Sequence, residues 1–462
     1  MQDQRQTRTN RDITLSRALG PLEATTIVLG GMIGSGIFIA PTIVARDVGA
    51  PGLSLAVWIG SGLLATCGAL CYAELAGAIP ETGGTYSYLK RIYDVKLIAF
   101  LFGWTTFFAI SAGTIAASGA AFAAYSEYFL GSVFPSGPWT VRLIAAGCIL
   151  FLAGLNCLGT GVVGQIQNLL TFIKVASLLG VIFACAFFGH GQLSHFEPLL
   201  PEGRNAISTV EAFGTAMIPA LFAYEGWTFS ANVAGEIKHP RRSVPLSIIL
   251  GIGLAVVLYL AANLAYMYVI PFDELRKSKM LAADVLERIV GRKGGGLISM
   301  AVVISTFGGI NTLLLTYPRI QYAMAKDGLF FEWMGSIHPR FRTPARSILT
   351  QGALAASFAL SGTYEQILGY IAFCQYLFLA LAVVGLMVLR YKDPTLHRPY
   401  RVSAYPLTPI LFSVTCFWYL LTVLIYRFRE TVVGLIVMLL GIPFYFYWRR
   451  KASKKQEGAR IA

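Results

Sequence analysis

The chain has 462 residues, of which 56% are hydrophobic and only 13% charged. That charged share is about half the ~25% usual for soluble domains, which excludes a water-soluble globular chain and makes lipid the main solvent. The net charge of +14 does not indicate nucleic acid, because the basic residues form no stripe and follow membrane topology instead.

Residues 1–20 are polar and basic with no apolar core. They are expected to be a cytoplasmic segment rather than a cleavable signal, with the first span acting as the insertion signal. A span needs about 20 apolar residues. Twelve stretches are expected to cross: 21–45, 52–78, 97–126, 140–158, 164–189, 207–234, 244–270, 296–324, 347–361, 366–390, 405–427 and 431–448. With the amino terminus inside, inner connections hold 24 of the 37 Lys and Arg residues and outer ones 11. That bias predicts both termini in the cytoplasm. Residues 271–295 run against it, and MLAADVLERIV within them is expected to form an outer amphipathic helix. All seven cysteines lie in apolar stretches, where a thiol is most simply a small hydrophobe.

The first span carries GGMIGSGIF at 30–38. Glycine inside a helix costs roughly 0.5–1 kcal/mol against alanine, so three glycines and a serine here need a reason. They either let helices pack closely or let the helix break at Gly34-Ser35-Gly36. A break would expose carbonyls on one side and N–H groups on the other. The N–H groups attract a carboxylate and the carbonyls an ammonium, a pairing that suits an α-amino acid. No strand precedes these glycines, so a dinucleotide loop is excluded. Glu74, near the inner end of the second span, is expected to pair with a loop cation.

Lys174, in NLLTFIKVASLLG, lies about ten residues into the fifth span, roughly 15 Å deep. It is either a lysine near a misjudged span end or a buried structural cation. As the latter it would bond carbonyls of the broken first helix and a hydroxyl such as Ser305. The sixth span, around AMIPALFAYEGWTFSAN, holds Pro219, Glu225 and Gly226 near its middle. A carboxylate there costs about 2.5–3.5 kcal/mol on insertion scales. Interrupted spans one and six are five apart. Two five-helix halves must then be inverted relative to one another, as in transporters with a midplane site.

These features resemble the amino acid–polyamine–organocation superfamily, and within it the L-amino-acid transporter family. The resemblance rests on GGMIGSGIFIAP (30–41), CYAELAGAIPETGGTYSYL (71–89), LFAYEGW (221–227), EIKHPRRSVPLSI (236–248), STFGGINTLLLTYPRIQYAMAKDG (305–328) and LRYKDPTLHRP (389–399). It implies an all-α integral membrane fold of 12 transmembrane helices, in two inverted five-helix repeats (LeuT-like) plus two extra helices, with helices 1 and 6 discontinuous. The expected units are 1–20, a first repeat 21–189, a second repeat 207–390, helices 11–12 within 405–448, and a basic cytoplasmic tail 449–462.

The resemblance further implies sodium-independent L-amino acid transport by alternating access, commonly exchange, in the plasma membrane, with no cofactor, metal or nucleic acid. Ile33, Ser35 and Gly36 would bind the substrate carboxylate, with Gly34 in support. Carbonyls near Ile33 and around Phe222 and Glu225 would receive the amine. Phe222 would be the outer gate, and Tyr259 would help hold the site. Lys174 matches the lysine that stands where sodium-coupled relatives bind sodium. Gln375 is expected in the side-chain subsite.

Two features depart from the family pattern. The loop LGSVFPSGPW lacks the cysteine that links animal members to a heavy chain, which implies a stand-alone prokaryotic carrier without such a partner. Glu225 stands where many relatives have glycine or serine. It either pairs with a cationic substrate side chain or, protonated, bonds a hydroxyl or the helix backbone. Alternatives to neutral exchange are proton-coupled uptake of cationic amino acids or polyamines, and a non-transporting amino acid receptor. No nucleophile–base pair or phosphate loop suggests an enzyme.

Overall fold

The computed structural model describes residues 14–34, 36–130, 137–201, 203, 205–278, 280–361 and 364–461. They form helices joined by short connections, with one isolated bridge between Leu19 and Ile237. In lipid a backbone must satisfy itself, and the helix does so within one segment.

The first span is two helices, α1 (Pro21–Met32) and α2 (Gly36–Val48). The second is α3 (Pro51–Ala78), followed by a short helix α4 (Thr85–Ile92). The third span runs through α5 (Lys96–Thr105), a π-helical stretch Thr106–Ser111, and α6 (Ala112–Leu130). Next come α7 (Pro138–Asn156) and α8 (Thr160–Phe188). The sixth span is again two pieces, α9 (Ala206–Ala223) and α10 (Phe229–Asn232). It is followed by α11 (Pro240–Val269), α12 (Phe272–Leu275) and α13 (Leu281–Val290). Then come α14 (Arg292–Thr316), α15 (Pro318–Lys326), α16 (Ala345–Ser361), α17 (Tyr364–Lys392), α18 (Leu407–Tyr426) and α19 (Phe428–Ile461).

Local chemistry sets several of these starts. Proline, which lacks the N–H that a first turn leaves unpaired, opens α1, α3, α7, α11 and α15. The Glu23 carboxylate accepts from the Gly20 N–H at 2.7 Å, and Asn205 caps α9 through the Ser208 N–H at 2.8 Å, both orphan donors otherwise.

Eleven helical stretches among the described residues are long and apolar enough to cross a membrane. The expected ninth span, 347–361, is helix α16, which at 17 residues falls just below that length. The other expected spans match helices with ends shifted by a few residues. The amphipathic helix expected near MLAADVLERIV is α13. Helix α4 lies between the expected spans, and its eight residues are too few to cross a membrane.

About three quarters of the first and third spans is buried, 76% and 78%, against 28% of the fifth. These two therefore belong to the centre of the bundle. Helix α11 packs on α3 and α1, while α9 packs on α2 and α3. Helix α14 packs on α6, α7 and α8, and α16 on α7 and α6.

Buried ion pairs lock the end of the bundle where Leu19 lies. Arg319 donates to both Glu236 oxygens, at 2.7 and 3.2 Å, and to the Thr160 hydroxyl, all three residues being buried. Thr160 also donates to Glu236. Glu74 accepts from Arg390 at 2.8 and 2.5 Å and from the Val402 N–H at 2.7 Å, with Arg398 3.4 Å away. Glu74 thus has one cationic partner, Arg390, in the last turn of α17 and a second, Arg398, in the connection after it.

Candidate functional site

Both interruptions lie where the glycines and Glu225 suggested. Helix α1 stops at Met32 because Ile33 leaves helical geometry, at φ −74° and ψ 84°. The Gly34 N–H then turns back onto the Met32 carbonyl at 2.8 Å. Helix α9 stops at Ala223, and Gly226 turns the chain with φ +132°. That positive φ suits glycine, and so does the contact. A methyl group at Gly226 would sit 2.8 Å from the Met32 nitrogen. One at Gly36 would sit 2.8 Å from Ala223 Cα. The two breaks therefore lie against each other, backbone to backbone.

The last carbonyls of a helix lack intrahelical partners. At the end of α1, side chains from three other spans supply them. Lys174 on α8 donates to the Gly30 carbonyl at 2.7 Å, and Ser305 on α14 donates to Ile33 at 3.2 Å. The Tyr259 hydroxyl on α11 lies 2.5 Å from the Met32 carbonyl and 3.1 Å from that of Ala223, within donating reach of both broken ends. Trp58 packs edge-on against Tyr259 and Tyr224, fixing both rings. Lys174 is 1% exposed, so it does not snorkel. Lys174 and Ser305 meet at the end of α1 through separate carbonyls, and no hydrogen bond joins them.

A cavity faces the breaks, with about 450 Å³ of empty space including that open to solvent. Gly31, Met32, Gly34 and Gly36 line it from the first span, and Phe222, Ala223, Glu225 and Phe229 from the sixth. Glu225 Oε1 accepts from Gln375 at 2.5 Å and from the Tyr317 hydroxyl at 3.1 Å. Both donors are neutral, and among the described residues no cation is paired with Glu225.

Of the expected carboxylate ligands, Gly36 lines the cavity at the first turn of α2, and Ser35 lies outside the described residues. Ile33 differs from expectation. It is fully buried, and its N–H donates to Leu29 at 2.8 Å, closing the last turn of α1. Phe222 is half-buried at the cavity wall, and its carbonyl accepts the Glu225 N–H at 3.2 Å. Gln375 reaches the site through Glu225 and does not line this cavity.

Thr114 and Ser118 on α6, and Thr306 and Gly309 on α14, also line it. Sequence reading passed over them. Their signal was small or polar residues three or four apart in otherwise apolar spans, a pattern shared with simple helix packing. Tyr317 was overlooked for the same reason. Among the described residues no cluster of three or more His, Cys, Asp or Glu is placed to hold a metal.

Tyr259→Phe is expected to lower substrate affinity about three- to tenfold, the cost of the one hydrogen bond its hydroxyl can donate to either carbonyl. Equilibrium binding of radiolabelled substrate to purified protein measures it. Unchanged affinity would leave the ring with a packing role alone.

A multi-spanning bundle with two helices broken at one place, and a carboxylate on the cavity that both breaks face, has the anatomy of a membrane carrier. The amino acid permease family matches residues 19–444, and the chain belongs to that family. It is 33% identical to Asc-type amino acid transporter 1 of Homo sapiens over 453 residues, 95% of this chain and 84% of that protein. It is 33% identical to large neutral amino acids transporter small subunit 2 of Mus musculus over 455 residues, 95% and 83% of the two chains. The cystine/glutamate transporter of Homo sapiens is 31% identical over 445 residues, 95% and 87% of the two. The chain is therefore a multi-pass amino acid transporter and not an enzyme.

Proposed function

We propose that the protein is a sodium-independent exchanger of neutral L-amino acids that works by alternating access. One observation carries this reading: two broken helices strapped together by Tyr259 and facing a single cavity. The substrate carboxylate sits at the start of α2, where the first N–H groups of a helix lack partners. Its ammonium sits at the backbone carbonyls near Ile33 and around Phe222 and Glu225. The Lys174 ammonium fixes the end of α1, so no coupling cation is needed to hold that helix.

Two inverted repeats, 21–189 and 207–390, account for the packing. Spans one and seven touch (α1 with α11), as do spans six and two (α9 with α3). Spans three and nine touch (α6 with α16), as do eight and four (α14 with α7). Spans five and eight touch (α8 with α14), as do ten and three (α17 with α6). Each pair maps onto its partner by adding or subtracting five. Helix α16 then serves as the ninth span. The placement of basic residues supports both termini in the cytoplasm of a plasma-membrane carrier. The loop without cysteine supports a stand-alone prokaryotic protein with no disulfide-linked heavy chain.

A second reading is proton-coupled uptake of cationic amino acids or polyamines. It is favoured by a carboxylate at the cavity wall with only neutral hydrogen-bond donors. A competition panel of amino acids in proteoliposomes, with and without internal substrate, separates the two. Exchange requires internal substrate, whereas proton coupling responds to an imposed pH gradient. Absence of counterflow altogether would point to a receptor. Glu225→Gln is expected to leave neutral substrates competing and to shift competition by lysine and arginine about tenfold, the smallest effect expected of a close charge pair. An unchanged profile would remove Glu225 from the side-chain subsite.

A further inference from the structure

A second cavity lies beyond Glu225, on the side of the bundle where α4 and Leu19 sit. Thr85, Thr106, Thr228, Asn232, Tyr317 and Gln375 line it together with the apolar Phe102, Ile110, Ile320 and Leu379, so hydroxyls and amides are set in a wall that is more apolar than polar. The two cavities share no lining residue. Between them stands the clasp in which Tyr317 and Gln375, from the second cavity, donate to Glu225, from the first.

The third span is π-helical beside this second cavity, over Thr106–Ser111. Such single wide turns occur frequently at functional sites. Hydroxyls elsewhere in these spans bond back to the carbonyl four residues earlier: Thr114 to Ile110, Thr312 to Gly308 and Thr316 to Thr312. Within and beside the π stretch this habit fails. The hydroxyls of Thr105, Thr106 and Ser111 are all buried without a partner among the described residues. Gln375, 9% exposed, likewise has an unpartnered carbonyl oxygen. Buried polar groups are ordinarily satisfied. Here Thr106 and Gln375 both line one small cavity, on the far side of the Glu225 clasp from the first.

We propose that this cavity is a second station for the transported amino acid, in series with the first, with the Glu225–Gln375–Tyr317 clasp as the partition between them. The inference rests on the transport reading above. The station is uncharged and takes the carboxylate and ammonium of the zwitterion through the Thr106 hydroxyl and the Gln375 amide. It holds substrate weakly, as a station on an exit route must.

The test is Thr106→Val, which removes the hydroxyl and keeps the shape, with Thr106→Ser as the conservative control. Exchange is measured in proteoliposomes of fixed orientation, with substrate varied on one side at a time. For Thr106→Val the cytoplasmic-side KM is expected to rise about three- to tenfold, as for one lost hydrogen bond. The outer-side KM should change less than about twofold, within the spread of a surface substitution, and Thr106→Ser should restore wild-type behaviour. Unchanged KM values on both sides would make this a water-filled space only and overturn the proposal. Equal losses on both sides, or failure of serine to restore function, would assign Thr106 to the shape of the π turn and overturn it too. Lack of exchange by the wild-type protein would instead overturn the transport reading, and this inference with it.

Discussion

Replacing Lys174 by alanine or methionine is expected to reduce amino acid transport by at least about tenfold without unfolding the protein. A hydrogen bond to a charged group contributes about 1.5–3 kcal/mol, and Lys174 makes one at 2.7 Å to the Gly30 carbonyl. That carbonyl belongs to the last turn before the break, where the backbone has few partners of its own. Without the ammonium, the end of α1 is held by Tyr259 and Ser305 alone, and its position relative to α8 and α14 loosens. Stability should follow a different course. An ammonium buried with one partner is costly to desolvate, so the methionine variant should melt at the wild-type temperature or above it. Reconstituted uptake and thermal unfolding in detergent, measured on one preparation, report both quantities. Wild-type kinetics in either variant would make Lys174 a bystander.

Gly226→Ala is expected to abolish transport and to destabilise the fold. At φ +132° a side chain is strained, by an amount of order 1–3 kcal/mol. The added methyl would also approach the Met32 nitrogen at 2.8 Å and the Gly31 carbonyl carbon at 3.0 Å. Those are backbone atoms on the opposing broken helix, so relief requires the two breaks to part, at a further cost of about 1–3 kcal/mol. Gly253→Ala is the matched control, since Gly253 sits on α11 with open space at its Cβ. It should leave uptake unaltered and the melting temperature unchanged or slightly raised, since alanine is the better helix former. A Gly226→Ala protein that transports normally would show that the breaks need not touch.

Much of the site was legible because its cause is local. Glycines crowded into an apolar stretch, and a carboxylate at mid-span, violate what lipid asks of a helix, and such violations stand out residue by residue. Lys174 was visible for the same reason. Donor bookkeeping was less legible. Ile33 reads as a free backbone donor in the motif, yet its N–H closes α1's final turn, because the C-terminal end of a helix leaves carbonyls, not N–H groups, without partners.

Linear order therefore accounts for the spans, their interruptions and the buried cation, since exclusion of polar groups from hydrocarbon acts on each segment separately. Which side chains meet at the breaks was settled by packing. Tyr259 reaches carbonyls 227 and 36 residues away. Gln375 reaches Glu225 across 150 residues, and Arg319 reaches Glu236 across 83. Association of helices in lipid depends on close packing and interhelical hydrogen bonds rather than on apolar stripes. Hydrophobic pattern thus marks where a helix lies in the bilayer but carries no address for its neighbours.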